Sequence, residues 1–290
     1  MPFPFRFEVE KPLSQFSTFG IGGPAKLFIE IQTIEEMQSL LAYCHREHLA
    51  YIVIGKGSNC LFHDRGFDGL VILNKIAFCH FDWPVVHAGA GYSFSLLGTQ
   101  TARQGWAGLE FASGIPGSVG GAIYMNAGAS AAETSEIVRE VSFVDEKGVL
   151  EVLRKDEINF SYRFSSFQHK KGCIISAKFQ LQPFEDARKK QLSILDYRTH
   201  TQPYGDKSIG CVFRNPKPES AGSLIEQAGL KGTKVGGAEV STLHANFIVN
   251  KGSAKACDVL DLVNVIRSTI KEKMGVDLEM EIRCIPYKLE

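Results

Sequence analysis

The sequence predicts an α+β fold made of mixed units that follow one another along the chain. Strand and helix patterns alternate in the first third, strands and glycines dominate the middle third, and a long amphipathic helix followed by a strand closes the last third. The chain has 290 residues, of which 44% are hydrophobic, enough for more than one core. We expect a two-part N-terminal module, with subdomains at 1–75 and 76–195, and a smaller α+β domain at 196–290.

The first subdomain begins with a strand at Ala25–Ile31. Thr33 and Glu36 have the spacing of a helix capping box. The apolar residues at helical spacing behind it are Ile34, Met37, Leu40, Leu41 and Cys44. Short apolar runs at Tyr51–Ile54 and Val71–Leu73 predict buried strands, which completes a βαββ arrangement.

The second subdomain is predicted to be rich in strands. The predicted strands are Val85–Ala88, Val141–Val144, Val149–Leu153 and Cys173–Leu181. Asp145–Gly148 has the composition of a hairpin turn between two of them. Phe94–Arg103 is predicted to be a helix.

The last third begins with a charged segment, Glu185–Tyr197, which we expect to be amphipathic, and a polar linker, Arg198–Ser208. Ser253 is a candidate cap for a long helix that Gly275 would end. The apolar face of this helix consists of Val259, Leu262, Val263, Ile266 and Ile270. A final strand is predicted at Leu278–Ile285.

Composition and charge exclude several classes of function. The 32 basic and 32 acidic residues cancel, so there is no strong basic field for nucleic acid. No apolar run approaches the roughly 18 residues of a membrane helix, and the first ten residues carry prolines and acids where a signal peptide needs apolar residues. We expect a cytoplasmic protein with no nucleic-acid or membrane partner and no obligate protein partner.

The cysteines fit a reducing compartment and predict no metal site. They are Cys44, Cys60, Cys79, Cys173, Cys211, Cys257 and Cys284. Their number is odd, and no CxxC or paired Cys/His spacing is present. We expect most of them to be reduced and buried, with Cys211 as the exception.

Two glycine-rich segments are candidates for binding a phosphate. The first, directly after a strand, consists of Gly55, Lys56, Gly57, Ser58 and Asn59. Glycines let backbone N–H groups converge on an anion, although a simple tight turn explains this segment equally well. The candidate residues of the second segment are Gly114, Ile115, Pro116, Gly117, Gly120 and Gly121, followed by Asn126. A generic loop is the alternative there, but two such segments favour a dinucleotide bound by loops.

Three further segments carry candidate chemistry. Arg163, next to Tyr162, is either a solvated surface residue or a partly buried fork for a carboxylate. Cys211, near Arg214 and Asn215, either packs in a core or lies in an electropositive pocket. Glu279, Glu281 and Arg283 would share one face of the last strand, which faces either solvent or a site.

Taken in order, these segments resemble the UDP-N-acetylenolpyruvoylglucosamine reductase family, flavoenzymes that make UDP-N-acetylmuramate for bacterial peptidoglycan. The matching segments are Ser17–Ala25, Gly55–Asn59, Gly114–Gly121, Tyr162–Arg163, Gln202–Pro203, Gly210–Pro216, His244–Asn250 and Leu278–Arg283. The resemblance covers nearly the whole chain. It implies a two-part FAD-binding module of the vanillyl-alcohol-oxidase (PCMH) type and a substrate-binding domain. The compact chain between Tyr162 and Cys211 indicates the shorter subtype.

The resemblance also implies the chemistry. Hydride passes from NADPH to FAD and then to the enolpyruvyl group, and both glycine segments and Asn126 contact the FAD. Cys211 takes the position of the proton donor, which is often serine in the family, and Arg163 and Glu281 stabilise the enolate. Tyr162, Arg214 and Asn215 lie near the sugar nucleotide. No histidine stands out as a covalent attachment point, so non-covalent FAD is expected.

Two properties of the implied donors follow from general chemistry. A thiol, with a pKa near 8.5, is a stronger acid than an alcohol, so Cys211 suits proton donation. Glu281 must be protonated or compensated by a cation to stabilise a developing negative charge. Two alternatives remain: another FAD-dependent oxidoreductase of the vanillyl-alcohol-oxidase group, and a non-catalytic relative that retains FAD.

Overall fold

The structure, a computed structural model, describes residues 5–289. Residues 1–4, part of the segment considered for a signal peptide, lie outside this range. The α-helices are α1 (Ile34–Arg46), α2 (Phe94–Arg103), α3 (Val119–Tyr124), α4 (Thr134–Ile137), α5 (Ala187–Thr201), α6 (Ala221–Gln227) and α7 (Ala256–Met274).

The strands are β1 (Glu8–Pro12), β2 (Pro24–Ile31), β3 (Tyr51–Ile54), β4 (Cys60–Phe62), β5 (Phe67–Asn74), β6 (Cys79–Asp82), β7 (Val85–Gly89), β8 (Trp106–Ala107), β9 (Gly128–Ala129), β10 (Ala132–Glu133), β11 (Val138–Asp145), β12 (Leu150–Arg154), β13 (Phe160–Ser161), β14 (Phe164–Ser165), β15 (Gly172–Gln180), β16 (Gln182–Pro183), β17 (Lys234–Val235), β18 (Ala238–Val240), β19 (Ile248–Asn250) and β20 (Arg283–Ile285). The α+β class is confirmed, and most predicted strands are present.

The chain divides into two compact units. The first contains the described residues up to Glu8, Phe28–Lys56 and Gly69–Arg198, and the second contains Val9–Leu27, Gly57–Asp68 and the residues from Thr199 onward. The segment 57–68 belongs to the second unit because β4 pairs in parallel with β20. The predicted division at 75 and 195 differs from this one, and the assignment of three separate domains stays a prediction.

The first unit contains a five-stranded antiparallel sheet in the order β12-β11-β15-β7-β6. The predicted hairpin turn is confirmed, since the Gly148 amide donates to the Asp145 carbonyl oxygen at 3.0 Å. One face of the sheet packs on a core that includes residues of α2 and α3. Helix α2 has the predicted bounds, and the Ser93 hydroxyl accepts from the Leu96 amide at its first turn.

The α1 region of the first unit also matches the prediction. The Thr33 hydroxyl accepts from the Glu36 amide at 3.1 Å, and the Glu36 carboxylate accepts from the Thr33 amide at 3.2 Å, so the capping box is present. The helix buries Met37, Leu40 and Leu41. Strand β3 lies parallel to β5.

The second unit has a core formed by α7, α6 and the sheet β17-β18-β19. The predicted apolar face of α7 is buried, and Gly275 ends the helix with φ 72°. The predicted cap at Ser253 is wrong, because the helix begins at Ala256. There the Asp258 carboxylate accepts from the Lys255 amide at 2.9 Å, and the Asp64 carboxylate accepts from the Ala256 amide at 2.6 Å.

Two other predictions, for the charged segment at 185–197 and for the final strand, are wrong in part. The charged segment becomes α5, which runs into the expected linker and buries only Ala187 and Gln191, so it lacks the predicted amphipathic face. The final strand is shorter than predicted, because β20 begins only at Arg283. Upstream of it, Met280 forms a single bridge with Phe213 rather than a longer ladder.

Candidate active site

In the first unit, the first glycine segment places a lysine next to the start of α2. The Lys56 ammonium donates to the Ser93 hydroxyl at 2.7 Å, and partial burial lowers the pKa of Lys56. No carboxylate pairs with this ammonium within residues 5–289. A partly buried cation without a counter-ion beside a helix N-terminus suits an anionic ligand. A Cβ on Gly55 would lie 2.2 Å from the Ser118 hydroxyl oxygen, so a side chain there would displace the hydroxyl that accepts from the Gly121 amide.

The remainder of this segment lies in the second unit and also suits an anion. Gly57 has φ +61°, and a Cβ on it would lie 1.9 Å from the Phe16 carbonyl oxygen, so only glycine fits. The Gly57 and Ser58 amides donate to no protein acceptor in the described part of the chain. Successive unpaired N–H groups of this kind form a concavity that binds phosphate.

The second glycine segment runs from a 3₁₀ helix, Glu110–Gly114, through Ile115, Pro116 and Gly117 into α3. Backbone bonds hold the segment in place: the Gly117 amide donates to the Ile115 carbonyl oxygen at 2.8 Å, and the Gly117 carbonyl accepts from the Phe94 amide of α2 at 3.0 Å. The loop is therefore a fixed platform in the first unit.

Two neighbouring glycines of α3 differ in what surrounds them. A Cβ on Gly120 would lie 2.9 Å from the Ala90 Cβ, so this glycine is explained by packing. A Cβ on Gly121 would have only the Ser118 hydroxyl oxygen nearby, at 3.4 Å. The folded chain alone gives no steric reason for glycine at 121, and a space that a Cβ would fill suits a ligand pressed against the helix. The residues of each segment, taken within the unit that contains them, therefore fit part of a bound dinucleotide.

Asn126 has a different environment from the one expected of a cofactor ligand. Its side chain is fully buried. The carboxamide nitrogen donates to a Glu133 carboxylate oxygen and to the Ser161 carbonyl oxygen, both at 2.9 Å. The carboxamide oxygen accepts from the Ser135 amide at 2.9 Å. These bonds tie the side chain to the protein, and its predicted role toward the cofactor stays a prediction.

Arg163 is a partly buried arginine held on several sides. Its side chain is 18% exposed, and one guanidinium nitrogen lies 3.9 Å from a Glu133 carboxylate oxygen. Another donates to the Gly128 carbonyl oxygen at 3.0 Å. The guanidinium carbon lies 4.7 Å from the ring centroid of Tyr162, a cation–π distance. This environment favours the carboxylate fork over a freely solvated surface residue.

In the second unit, Cys211 and Glu281 lie on neighbouring backbone segments. The Glu281 amide donates to the Val212 carbonyl oxygen at 2.8 Å. On the other side, Cys211 forms an antiparallel bridge with Phe247. The segment that carries the Cys211 thiol therefore lies between the segment of Phe247 and the segment that carries the Glu281 carboxylate. Cys211 is only partly buried, unlike a core thiol.

Asn246 holds the same segment and was not identified from the sequence. Its buried carboxamide accepts from the Phe213 amide at 2.9 Å and donates to the Phe213 carbonyl oxygen at 2.8 Å. Its own carbonyl oxygen accepts from the Val212 amide at 2.8 Å. Asn246 lies in the His244–Asn250 motif, which was the signal that could have indicated it.

Asn59 connects the first glycine segment to the Glu281 backbone. Its side-chain nitrogen donates to the Glu281 carbonyl oxygen at 3.2 Å, and its carbonyl oxygen accepts from the Arg283 amide at 3.0 Å. The side chain thus has a protein partner that the sequence did not suggest. Asn59 positions the backbone of the candidate carboxylate, and its predicted contact with the cofactor stays a prediction.

Replacing Asn59 with alanine should slow the reaction of reduced enzyme with substrate more than it weakens flavin binding. The lost hydrogen bond should lower the free energy of unfolding by about 1 kcal/mol. Stopped-flow measurement of each half-reaction and a flavin titration check this. Asn264→Ala, at an exposed position on α7, is the matched control. A loss confined to flavin affinity would contradict the expected role.

The remaining candidates of the second unit, Arg214 and Asn215, each have a partner in the protein. The Arg214 guanidinium donates to the Glu279 carboxylate at 2.9 Å. The strand predicted through Glu279, Glu281 and Arg283 is regular only from Arg283 onward, and the shared face of these three residues stays a prediction. The Asn215 side chain accepts from the Ala221 amide at 3.0 Å, at the start of α6.

The other cysteines are only partly as expected. Cys44 and Cys173 are buried, but Cys257 and Cys284 are exposed. Burial raises the pKa of Cys44 to about 11 and that of Cys173 to about 12, so both stay protonated at neutral pH. They are packing thiols.

Comparison with known proteins decides the family. A family model described as the C-terminal domain of UDP-N-acetylenolpyruvoylglucosamine reductase matches residues 202–285, and one described as an FAD binding domain matches residues 25–154. A UDP-N-acetylenolpyruvoylglucosamine reductase from Protochlamydia amoebophila is 57% identical, over 99% of this chain and 96% of the relative. The chain belongs to the UDP-N-acetylenolpyruvoylglucosamine reductase family.

Two further similarities agree with this assignment. A reductase of the same name from Chlamydia muridarum is 47% identical over 99% of this chain and 97% of its own length. The crystal structure of a UDP-N-acetylenolpyruvylglucosamine reductase from Thermus caldophilus, 36% identical, aligns with a TM-score of 0.83 and covers 97% of this chain and 99% of that one.

These similarities confirm two predictions made from the sequence, the family and the FAD cofactor. The chain is an FAD-dependent oxidoreductase. The matched FAD binding domain includes both glycine segments and Asn126. Within residues 5–289, none of the helices has the length and apolar character needed to cross a membrane.

Proposed function

We propose that this protein reduces UDP-N-acetylglucosamine enolpyruvate to UDP-N-acetylmuramate, in peptidoglycan synthesis, with NADPH as the source of hydride. The observation that carries the proposal is the arrangement in the second unit. A partly buried thiol and a carboxylate lie on adjacent backbone segments, and the carboxylate segment is bonded to Asn59 of a candidate flavin segment. Backbone hydrogen bonds thus connect the segments of Cys211, Glu281 and Asn59. Such an arrangement of a proton donor, an acid and a cofactor segment suits the reduction of an activated double bond.

FAD, when bound, carries hydride from NADPH to the terminal carbon of the enolpyruvyl group. Lys56 and the Gly57 and Ser58 amides are proposed to hold its phosphates, because they supply a cation and unpaired donors. Gly121 is proposed to give the cofactor close access to α3.

The protein's own groups then complete the reduction. Arg163 binds the substrate carboxylate and favours the enolate that develops when hydride arrives. The Cys211 thiol donates its proton to the adjacent carbon, which gives the saturated carboxylate. Glu281 stabilises the enolate, either as a protonated acid that donates a hydrogen bond or as a carboxylate compensated by a cation. The net change is one hydride and one proton added across the double bond, and the thiolate of Cys211 recovers a proton from solvent.

The sugar nucleotide is proposed to lie near Tyr162, Arg214 and Asn215. Arg214 supplies a cation suited to the diphosphate, although it also pairs with the largely exposed Glu279 carboxylate. Surface pairs of this kind contribute little stability, so a diphosphate can compete for the guanidinium.

An anaerobic experiment on the purified flavoprotein tests the function. We expect NADPH to bleach the flavin, and UDP-N-acetylglucosamine enolpyruvate to restore the oxidised spectrum with formation of UDP-N-acetylmuramate. An oxidase of the vanillyl-alcohol-oxidase group would be reoxidised by oxygen and not by this substrate. A flavin that NADPH cannot reduce would exclude the reductase and favour the non-catalytic alternative.

We also propose that the reaction takes place in the cytoplasm. The seven cysteines form no disulfide among the described residues. A chain with two exposed thiols, Cys257 and Cys284, suits a reducing compartment.

A further inference from the structure

A network of polar groups in the first unit, centred on one buried side chain, leads from the second glycine segment to Arg163. Its centre is Asn126, which follows α3 and has φ 42°, a left-handed conformation. Through its carboxamide it bonds Glu133, Ser135 and the Ser161 carbonyl oxygen. The same side chain therefore fixes a carboxylate and the strand that leads into Arg163.

The hairpin that carries Arg163 is fixed by additional bonds. Strands β13 and β14 pair on either side of Tyr162 and Arg163. The Ser165 hydroxyl donates to the Tyr124 carbonyl oxygen at 2.8 Å, and the Gln168 side chain donates to the Arg163 carbonyl oxygen at 3.2 Å. Arg163 itself has φ 56°, which is uncommon for a residue with a side chain. Such a conformation persists where surrounding contacts determine it.

One hairpin supplies both the Gly128 carbonyl and the Glu133 carboxylate that face the Arg163 guanidinium. Gly128 and Glu133 are directly opposite each other in the pairing of β9 with β10. The Gly128 carbonyl oxygen lies 3.0 Å from one guanidinium nitrogen, and the Glu133 carboxylate lies 3.9 Å from another. Their separation is set by strand pairing, so the guanidinium meets two acceptors at a fixed spacing.

Restraint of the Arg163 side chain before the substrate binds changes the free energy of binding. A long arginine side chain loses rotamer entropy when it is immobilised on a ligand. The side chain here is already restrained by an acceptor on each of two strands and by the Tyr162 ring. Less of the free energy of carboxylate binding is then spent on ordering the arginine.

We propose that Glu133 is a positioning residue for Arg163. Hydrogen-bonded by Asn126, and together with the Gly128 carbonyl, it fixes the Arg163 guanidinium so that the guanidinium can bind the carboxylate of the substrate. The inference rests on the proposed function, since it takes Arg163 to be the carboxylate ligand. It assigns to Asn126 a task on the substrate side of the reaction. Glu133 acts through Arg163 and does not itself touch the substrate.

Glu133→Gln tests the inference, because glutamine retains an oxygen for Asn126 and loses the charge that faces Arg163. We expect an unchanged flavin content and an unchanged rate of flavin reduction by NADPH. The rate of reoxidation by the enolpyruvyl substrate should fall between about tenfold and a hundredfold, as for a displaced binding group. Glu146→Gln, which removes a surface pair with Lys171 at 4.0 Å, is the matched control and should behave like the unchanged enzyme.

Chemical rescue separates positioning from a general structural effect. In Arg163→Ala, guanidinium chloride at a concentration that does not unfold the protein should restore part of the substrate half-reaction, because Glu133 and the Gly128 carbonyl remain to bind it. In the double variant Arg163→Ala, Glu133→Gln the rescue should be lost. Rescue that is equal in both backgrounds would overturn the inference.

The outcomes also separate this inference from the proposed function. If Arg163→Ala leaves reoxidation by substrate unchanged, the proposed function of Arg163 fails. If Arg163→Ala slows it and Glu133→Gln does not, only the positioning role fails. If Glu133→Gln lowers thermal stability, a double-mutant cycle on the rate of reoxidation by substrate decides. Losses in this rate that add up in the double variant with Arg163→Ala overturn the inference, and non-additive losses support it.

Discussion

Replacing Cys211 with alanine should slow the reoxidation of reduced flavin by the enolpyruvyl substrate by about a hundredfold to ten-thousandfold, the usual contribution of a positioned general acid. Reduction of the flavin by NADPH should remain near the rate of the unchanged enzyme, because that step does not use the thiol proton. Stopped-flow absorbance, with each half-reaction followed separately, gives both rates.

Two further variants control for the loss of the thiol. Cys211→Ser keeps a hydroxyl donor in the same place and should retain substantial activity. Cys257→Ala removes an exposed thiol at the start of α7 and should change neither half-reaction. Equal losses in both half-reactions of Cys211→Ala would indicate a structural thiol and would contradict the proposed proton donor.

Replacing Gly121 with alanine should have opposite effects on the protein without flavin and on flavin binding. Alanine is favoured over glycine within a helix by about 0.5–1 kcal/mol, and the added Cβ meets only the Ser118 hydroxyl oxygen, at 3.4 Å. The flavin-free protein should therefore be slightly more stable. If the cofactor occupies the open side of Gly121, the methyl group should cost about 1–3 kcal/mol of binding, which corresponds to roughly a 5-fold to 150-fold rise in Kd.

Thermal unfolding with and without FAD, together with a flavin titration, measures both effects. Gly205→Ala is the matched control, because a Cβ there meets nothing within 4 Å and lies outside both glycine segments. Unchanged flavin affinity in Gly121→Ala would show that the open side of this glycine is not covered by the cofactor.

The sequence predicted those elements whose signals are local. The capping box of α1 needs only Thr33 and Glu36, three residues apart, and the turn at Asp145–Gly148 needs only four residues. The end of α7 follows from Gly275, which accepts a left-handed conformation without strain. In each case the residues that decide the conformation are neighbours in the chain.

The final strand shows where a local pattern fails. Residues 278–285 alternate as a strand would, but a ladder also needs one continuous partner. The Arg214 amide bonds the Glu279 carbonyl, the Glu281 amide bonds the Val212 carbonyl, and the Arg283 amide bonds the Asn59 carbonyl. The partner changes within this stretch, so the regular strand is confined to Arg283–Ile285.

The α+β class, the family, the cofactor and the residue types that are candidates for the chemistry could all be inferred before folding was considered, because they depend on composition and on the order of motifs. How the candidate side chains are held is visible only in the folded chain. Asn126 bonds Ser161 and Asn246 bonds Phe213, partners that are 35 and 33 residues away in the chain. The reason is physical: a buried carboxamide must find hydrogen-bond partners wherever the fold brings them, and no spacing in the sequence records which backbone groups those are.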